Sequence, residues 1–234
     1  MAKIRFRDLS KKSRIYRVLN LSINLSIIAF LTFLVIYYIL TNNTTNRQYA
    51  SLGVIGFSLI PLIFELIVRE RIPNTMYLFI NIYIIFAGVL GSALSFYTTY
   101  SWYDLIIHSF MGYFAGAIGL FFLCILKDQP KMRIISVALF CLSFSLLIEG
   151  VWELFEFGVD LIAPSMEMQG VNFPGQSFPL VTDTMVDIFC NFCGAILFFV
   201  HYILAKTTHK NLGIDAMIKE FSNNKQTKKE QELL

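Results

Sequence analysis

Between Arg71 and Lys127, and again between Arg133 and Lys206, this chain carries no Lys or Arg. Both intervals are built from apolar residues, yet acids recur inside them. EGVWELFEFGVD contains Glu149, Glu153, Glu156 and Asp160; DTMVDIFCNFCGA contains Asp183 and Asp187; YDLIIHSF contains Asp104 and His108. No cation of the same segments is available to pair with these carboxylates. A fold that buries such stretches must bring the acids together or supply them with something else.

Composition decides the solvent. Of the 234 residues, 56% are hydrophobic and 15% charged, and the mean hydropathy is +0.63. These values exclude an ordinary soluble domain and predict a polytopic membrane protein. A helix needs roughly 20 apolar residues to cross a hydrocarbon core. Six stretches meet that length: Leu19–Leu40, Tyr49–Val68, Thr75–Tyr97, Asp104–Leu126, Ile134–Ile162 and Asp183–Ala205. The expected fold is therefore an all-α bundle of six transmembrane helices. Residues 1–18 are expected to form a basic arm, 19–205 the membrane domain and 206–234 a polar tail with a short amphipathic helix. The first apolar run is longer than a signal-peptide core and no small-residue cleavage site follows it, so it reads as a retained span.

Charge sets the expected orientation. Counted along the loops, eighteen of the nineteen Lys and Arg fall on the side of the two termini and one, Arg47, on the other. The positive-inside rule then places both termini in the cytoplasm, as an even number of spans requires. Within the second span, Glu65 and Arg69 are spaced to pair one turn apart. No nucleic-acid partner is expected; the lipid bilayer is.

With that orientation, Asp104, Glu149, Glu153, Glu156, Asp160, Asp183 and Asp187, with His108, gather in the outer half of the membrane. At about 100° per residue, Glu149, Glu153, Glu156 and Asp160 occupy roughly 60° of one helix face. Asp104 and His108 recur at four, as do Asp183, Asp187 and Asn191. Stripes of this kind face a bundle interior rather than lipid. Left charged and unpaired, several such acids would cost on the order of ten kcal/mol. They must therefore bind a cation, share protons or line a wet cavity. Carboxylates with one imidazole suit a divalent ion of the Mg, Mn, Fe or Zn type. The expected ligands are Glu149, Glu153, Asp187 and His108, with Glu156 and His108 in proton transfer. Asp104, Asp160, Asp183 and Asn191 complete the polar set. Asp104 and Asp183 also suit the first turn of a helix, where the dipole favours an anion. The Pro- and Gly-containing loop from 161 to 181 would cover the cluster. Gly112 and Gly116 form a GxxxG that predicts an interior fourth span. All four cysteines lie in apolar segments and are expected to be packing residues.

YDLIIHSFMGYFAG, EGVWELFEFGVD and DTMVDIFCNFCGA together resemble the signature of the YjdF-type family of uncharacterised bacterial membrane proteins. Their order is also similar to VanZ-like proteins, in which Asp-x-x-x-His, a Glu and Asp-x-x-x-Asn-x-x-Gly open or line successive helices. The matching positions here are Asp104 and His108, Glu149, and Asp187, Asn191 and Gly194, within residues 100–200. The chain departs from the VanZ-like pattern after Glu149, where Gln and Arg are usual and this chain has Glu153 and Glu156 and no Arg. The YjdF-type resemblance implies a multi-pass protein of the bacterial inner membrane; the VanZ-like one implies a link to tolerance of teicoplanin-type glycopeptides. Two activities fit the residues: metal-dependent chemistry on a lipid or lipid-linked substrate, and proton or cation binding for transport. A non-enzymatic envelope accessory role is the third.

Overall fold

The computed structural model describes residues 11–41, 46–68, 71–126, 132–166, 168–169, 180–208 and 212–221. Among these residues the chain is helical, with no strand. The helices are α1 (Lys11–Leu40), α2 (Asn46–Val68), α3 (Asn74–Tyr83, continued by wider π turns over Ile84–Ala93), α4 (Phe96–Thr99), α5 (Tyr103–Leu126), α6 (Ile134–Ile162) and α7 (Leu180–Thr207). A last helix, α8, covers 214–221. Six of these helices are long and apolar enough to cross a membrane, which is the expected all-α polytopic fold. Their outer faces carry exposed Leu, Ile, Val and Phe throughout. Lipid makes such faces stable, since hydrocarbon does not penalise apolar exposure.

Several boundaries differ from expectation. Helix α1 begins at Lys11, so part of the expected basic arm is already helical. The third span stops at Ala93 rather than Tyr97. There the hydrogen bonds slip to five residues, Leu94 N to Val89 O at 2.9 Å, and Ser95 takes a left-handed φ of 63°. A non-glycine residue in that region ends a helix. The tail from 170 to 179 of the expected covering loop, with Gly170, Pro174, Gly175 and Pro179, lies outside the described residues. Pro164 opens a short 3-10 turn, Pro164–Met166.

The chain divides into two compact units: residues to Ser95 with those from Ala216, and Phe96–Asp215. In the first, α1 runs antiparallel to α2 and parallel to α3. Arg17 meets Glu65 in an ion pair, with its guanidinium 4.7 Å from the Tyr77 ring centre. Glu65 also accepts Ile72 N at 2.9 Å. Arg69, the expected local partner of Glu65, lies outside the described residues; among those described, the cation that meets Glu65 comes from another helix. Farther along, Asn24 donates to Ser58 O and to Asn81 Oδ1, Asn81 to Asn20 O, and Asn20 to Asn74 O. Beyond this layer the unit is apolar, around Ile27, Leu31, Leu34, Val54 and Ile84. Helix α3 starts at Pro73 without a side-chain cap of its own. Glu220 of α8 takes that place, accepting both Thr75 N and Thr75 Oγ1.

In the second unit, α5 packs on both α6 and α7, antiparallel to the first and parallel to the second. It is the most buried of the six spans, as the GxxxG predicted. Glycines set the spacing. A Cβ on Gly112 would lie 1.9 Å from Asn191 O, and one on Gly194 would lie 1.8 Å from Ser109 O. The two backbones touch at that level, which only glycine permits. Gly116 faces the Phe198 ring and Gly119 faces Cys141 and Phe144 of α6. At the start of this unit Phe96 meets Tyr100 and Tyr103 edge-on at 5.3 and 5.4 Å, Tyr97 meets Tyr103 at 5.5 Å, and Trp102 lies 5.8 Å from Tyr100.

A candidate polar site in the C-terminal helix triplet

The close approach of α5 and α7 determines where their polar side chains meet α6. On α6, residues 147, 151, 154, 157 and 161 are exposed apolar positions, while Glu149, Glu153 and Glu156 turn inward and are buried. The helical period alone produces this division. Asp160, on the same face, does not join them in the core. It is partly exposed, and its two oxygens accept Met168 N and Gln169 N, each at 2.9 Å. The carboxylate therefore holds the chain that leaves α6.

Three helices converge at Glu149, which is 1% exposed. Its Oε1 lies 2.6 Å from His108 Nδ1 of α5. Its Oε2 accepts from Asn191 Nδ2 of α7 at 2.8 Å. Asn191 Oδ1 in turn faces Ser145 Oγ at 3.1 Å, and the same hydroxyl lies 2.9 Å from Gly112 O. The amide of Asn191 has one orientation that satisfies both neighbours, nitrogen to the acid and oxygen to the hydroxyl. On the far side of the imidazole, His108 Nε2 is 3.3 Å from Asp104 Oδ1.

Burial separates the remaining acids. Glu153 is 5% exposed and Asp187 is 2% exposed. Both oxygens of Glu153 and Oδ1 of Asp187 are buried without a hydrogen-bond partner among the described residues. The Thr184 hydroxyl lies near Glu153 and accepts from Gln169 Nε2 at 3.1 Å. Such atoms are rare in folded proteins, because each forfeits its solvation with nothing in return. Glu156 lies within electrostatic reach of Glu153, His108, Asp104 and Asp187, and Asp183, in the first turn of α7, within reach of Asp104 and His108.

Two sets of three side chains offer ligand atoms that lie within 4.8 Å of one another: Asp104, His108 and Asp187, and His108, Glu149 and Glu153. The structure thus brings together the expected His108, Glu149, Glu153, Asp187, Asn191 and Asp104, and directs Asp160 elsewhere. Ser145 was not expected. Its signal was its place one turn before Glu149, extending the stripe of α6. His201 was missed as well. Its Nε2 donates to Leu212 O at 2.9 Å, so its Nδ1 accepts from the Tyr113 hydroxyl at 2.7 Å. Cys124, Cys141, Cys190 and Cys193 form no disulfide among the described residues.

The model of a family described as predicted membrane proteins, DUF2238, matches residues 23–208. That span holds most of the first membrane helix, the other five whole and every residue of the site. An uncharacterized protein of Thermotoga maritima is 27% identical over 158 residues, which are 66% of this chain and 71% of the relative. No solved structure matches the chain. The extent of the family match, the six apolar helices and the acid-bearing helix ends agree, and the chain belongs to the DUF2238 family of predicted membrane proteins.

Proposed function

We propose that the C-terminal triplet holds a divalent cation within the membrane and uses it in chemistry on a lipid or lipid-linked substrate. One observation carries this reading. Glu153 and Asp187 keep buried carboxylate oxygens unmatched by any protein donor among the described residues, beside an imidazole and two further acids. A divalent cation supplies the missing positive charge and accepts oxygen ligands in a single step. It would also activate a bound water or polarise a phosphoryl or carbonyl oxygen. Glu156, buried on the same face of α6, would accept the proton released.

The charge distribution of the loops supports a site near the outer surface of a bacterial inner membrane, with both termini in the cytoplasm. A lipid or lipid-linked molecule is then the substrate with direct lateral access. A transport pathway receives less support. On α7 the inner face from Asn191 to His201 is Gly194, Ala195 and Phe198, the last two buried, and it offers an ion no oxygen side chain. The test is metal content of the protein purified in lipid nanodiscs. Wild type is expected to retain about one divalent ion per chain, lost in Asp187→Asn while folding is preserved. A wild-type protein that neither retains nor takes up a divalent ion overturns the proposal.

A further inference from the structure

The two possible ligand sets share His108, and the hydrogen bonds around that ring distinguish them. Two ligand atoms bound to one ion, each about 2.1 Å from it, lie about 3.0–3.4 Å apart in octahedral or tetrahedral geometry. His108 Nε2 and Asp104 Oδ1 are 3.3 Å apart, which matches such an edge. His108 Nδ1 and Glu149 Oε1 are 2.6 Å apart, too close for a shared ion and suited to an N–H donating directly to a carboxylate. Glu149 has its other oxygen occupied by Asn191. Neither Nδ1 nor Glu149 is therefore available to the set completed by Glu153.

We infer that the cation is held by Asp104, His108 Nε2 and Asp187, and that Glu149, Asn191 and Ser145 orient the imidazole without touching the ion. This rests on the cation reading above and assigns its parts. The second observation that makes the cluster a site is Asp187 Oδ1, on a side chain that is 98% buried by its 2% exposure and is without a protein partner among the described residues. Its carboxylate stands in the same set as Asp104 and His108. The arrangement is a carboxylate–histidine–metal relay. The carboxylate behind the ring fixes the tautomer with Nδ1 protonated, which leaves the Nε2 lone pair for the metal and raises its basicity. Asn191 and Ser145 hold that carboxylate in turn, and the Ser145 hydroxyl reaches Gly112 O at the point where α5 and α7 touch. Backbone contact between two helices thus sets the direction of a ligand on one of them. Glu149 is a positioning residue in this arrangement, and Glu153 is left to face the ion's open side.

Cobalt(II) tests the assignment, because its visible bands report the ligand set while its affinity reports everything else. Protein in nanodiscs would be stripped with chelator and titrated with Co²⁺ alone. Wild type is expected to bind one ion. Glu149→Gln should bind about 10–100-fold more weakly with band positions unchanged, since the ligands are the same. Asn191→Ala, which leaves every carboxylate in place, should also weaken binding without moving the bands. Asp104→Asn and Asp187→Asn should shift the bands or abolish binding. Bands that move in Glu149→Gln or Asn191→Ala, or stay fixed with wild-type affinity in Asp104→Asn, overturn the assignment while leaving a cation site standing. Absence of Co²⁺ binding to wild type overturns the cation reading and this assignment together. Melting of each metal-free variant separates lost ligation from lost folding.

Discussion

In the N-terminal unit Asn20, Asn24 and Asn81 pass their hydrogen bonds to carbonyls and amides of neighbouring helices. In the C-terminal unit Glu153 and Asp187 keep buried oxygens that receive none among the described residues. Both units set a middle helix antiparallel to two parallel ones, and both bury polar side chains between them. The chemistry differs. The first unit has its own unmatched atoms: Asn24 Oδ1, Gln48 Oε1 and the Tyr77 hydroxyl are neutral, at a cost of about 1–3 kcal/mol each, and Arg17 Nη1 belongs to a guanidinium already paired with Glu65. An orphaned carboxylate is dearer by the cost of burying a charge. Where the N-terminal unit does bury an acid, Glu65 meets Arg17 directly. A chain able to pair its acids in one unit and leaving them open in the other points to a role beyond packing for the open ones.

The largest effect expected from this contrast concerns backbone spacing. Gly112→Leu places atoms where the Asn191 carbonyl stands, so α5 and α7 must part. Overpacking commonly costs about 1–3 kcal/mol, and here the obstacle is backbone, so the loss should exceed that range and disrupt the polar cluster. Gly56→Leu in the N-terminal unit meets nothing within 4 Å and should leave melting within a degree or two of wild type. Equal losses in the two variants would show that α5 and α7 are not in backbone contact. Next in size is Arg17→Ala. Removing one member of a buried ion pair costs roughly 3–5 kcal/mol. Glu65 keeps its bond from Ile72 N, which favours the lower end. Arg17→Met combined with Glu65→Leu should recover most of the loss in a double-mutant cycle; no recovery would mean that the stacking on Tyr77 matters more than the charge.

A third pair of substitutions has opposite signs in the two units. Asn81→Leu strips a donor from Asn20 O and an acceptor from Asn24 and should destabilise by about 1–3 kcal/mol. Glu153→Leu removes two unmatched oxygens and should stabilise the metal-free protein by a similar amount, about 1–3 kcal/mol, at the expense of whatever the site does. Thermal melting in detergent, with chelator present, reads both. If Glu153→Leu destabilises as Asn81→Leu does, the carboxylate has a structural partner and the contrast between the units fails.

Much of this architecture was legible because hydrocarbon imposes a simple rule on length. The span Ile134–Ile162 was read to the residue, bounded by Arg133 and by Ala163 before Pro164. The period of four along α6 and α7 placed Glu149, Glu153, Asp187 and Asn191 on inner faces without any structure. The illegible parts depend on contacts between distant segments. Arg17 meets Glu65 from 48 residues away, a contact that only tertiary packing shows. Asp160 continued the acidic stripe but sat at the helix end, where free backbone amides of the following turn captured it. Ser145 looked like one small residue in an apolar run. The overrun of the third span has a local cause: π turns and a left-handed Ser95 leave no signature in an apolar sequence.

The smallest effect tests the long-range cap on α3. Prolines at the N-cap offer no side-chain acceptor, and Pro73 leaves the first turn of α3 with unmet amides. Glu220 meets one of them, at Thr75 N, and binds the Thr75 hydroxyl as well. Its charge also lies at the positive end of the helix dipole. A carboxylate in that position acts as an N-cap residue would, though it comes from 145 residues away. Glu220→Gln keeps an acceptor and removes the charge, so it should cost a few tenths of a kcal/mol, about what a dipole interaction contributes. Glu220→Ala removes both and should cost about 1 kcal/mol, the usual loss on deleting a cap. Hydrogen exchange at Thr75 and Met76 reads the difference locally. Faster exchange there in Glu220→Ala, with Glu220→Gln between it and wild type, is the expected order. If α8 instead detaches as a whole in both variants, the buried Ile214 and Phe221 would become accessible and exchange would rise equally in the two. The acid would then be holding the tail helix rather than capping α3.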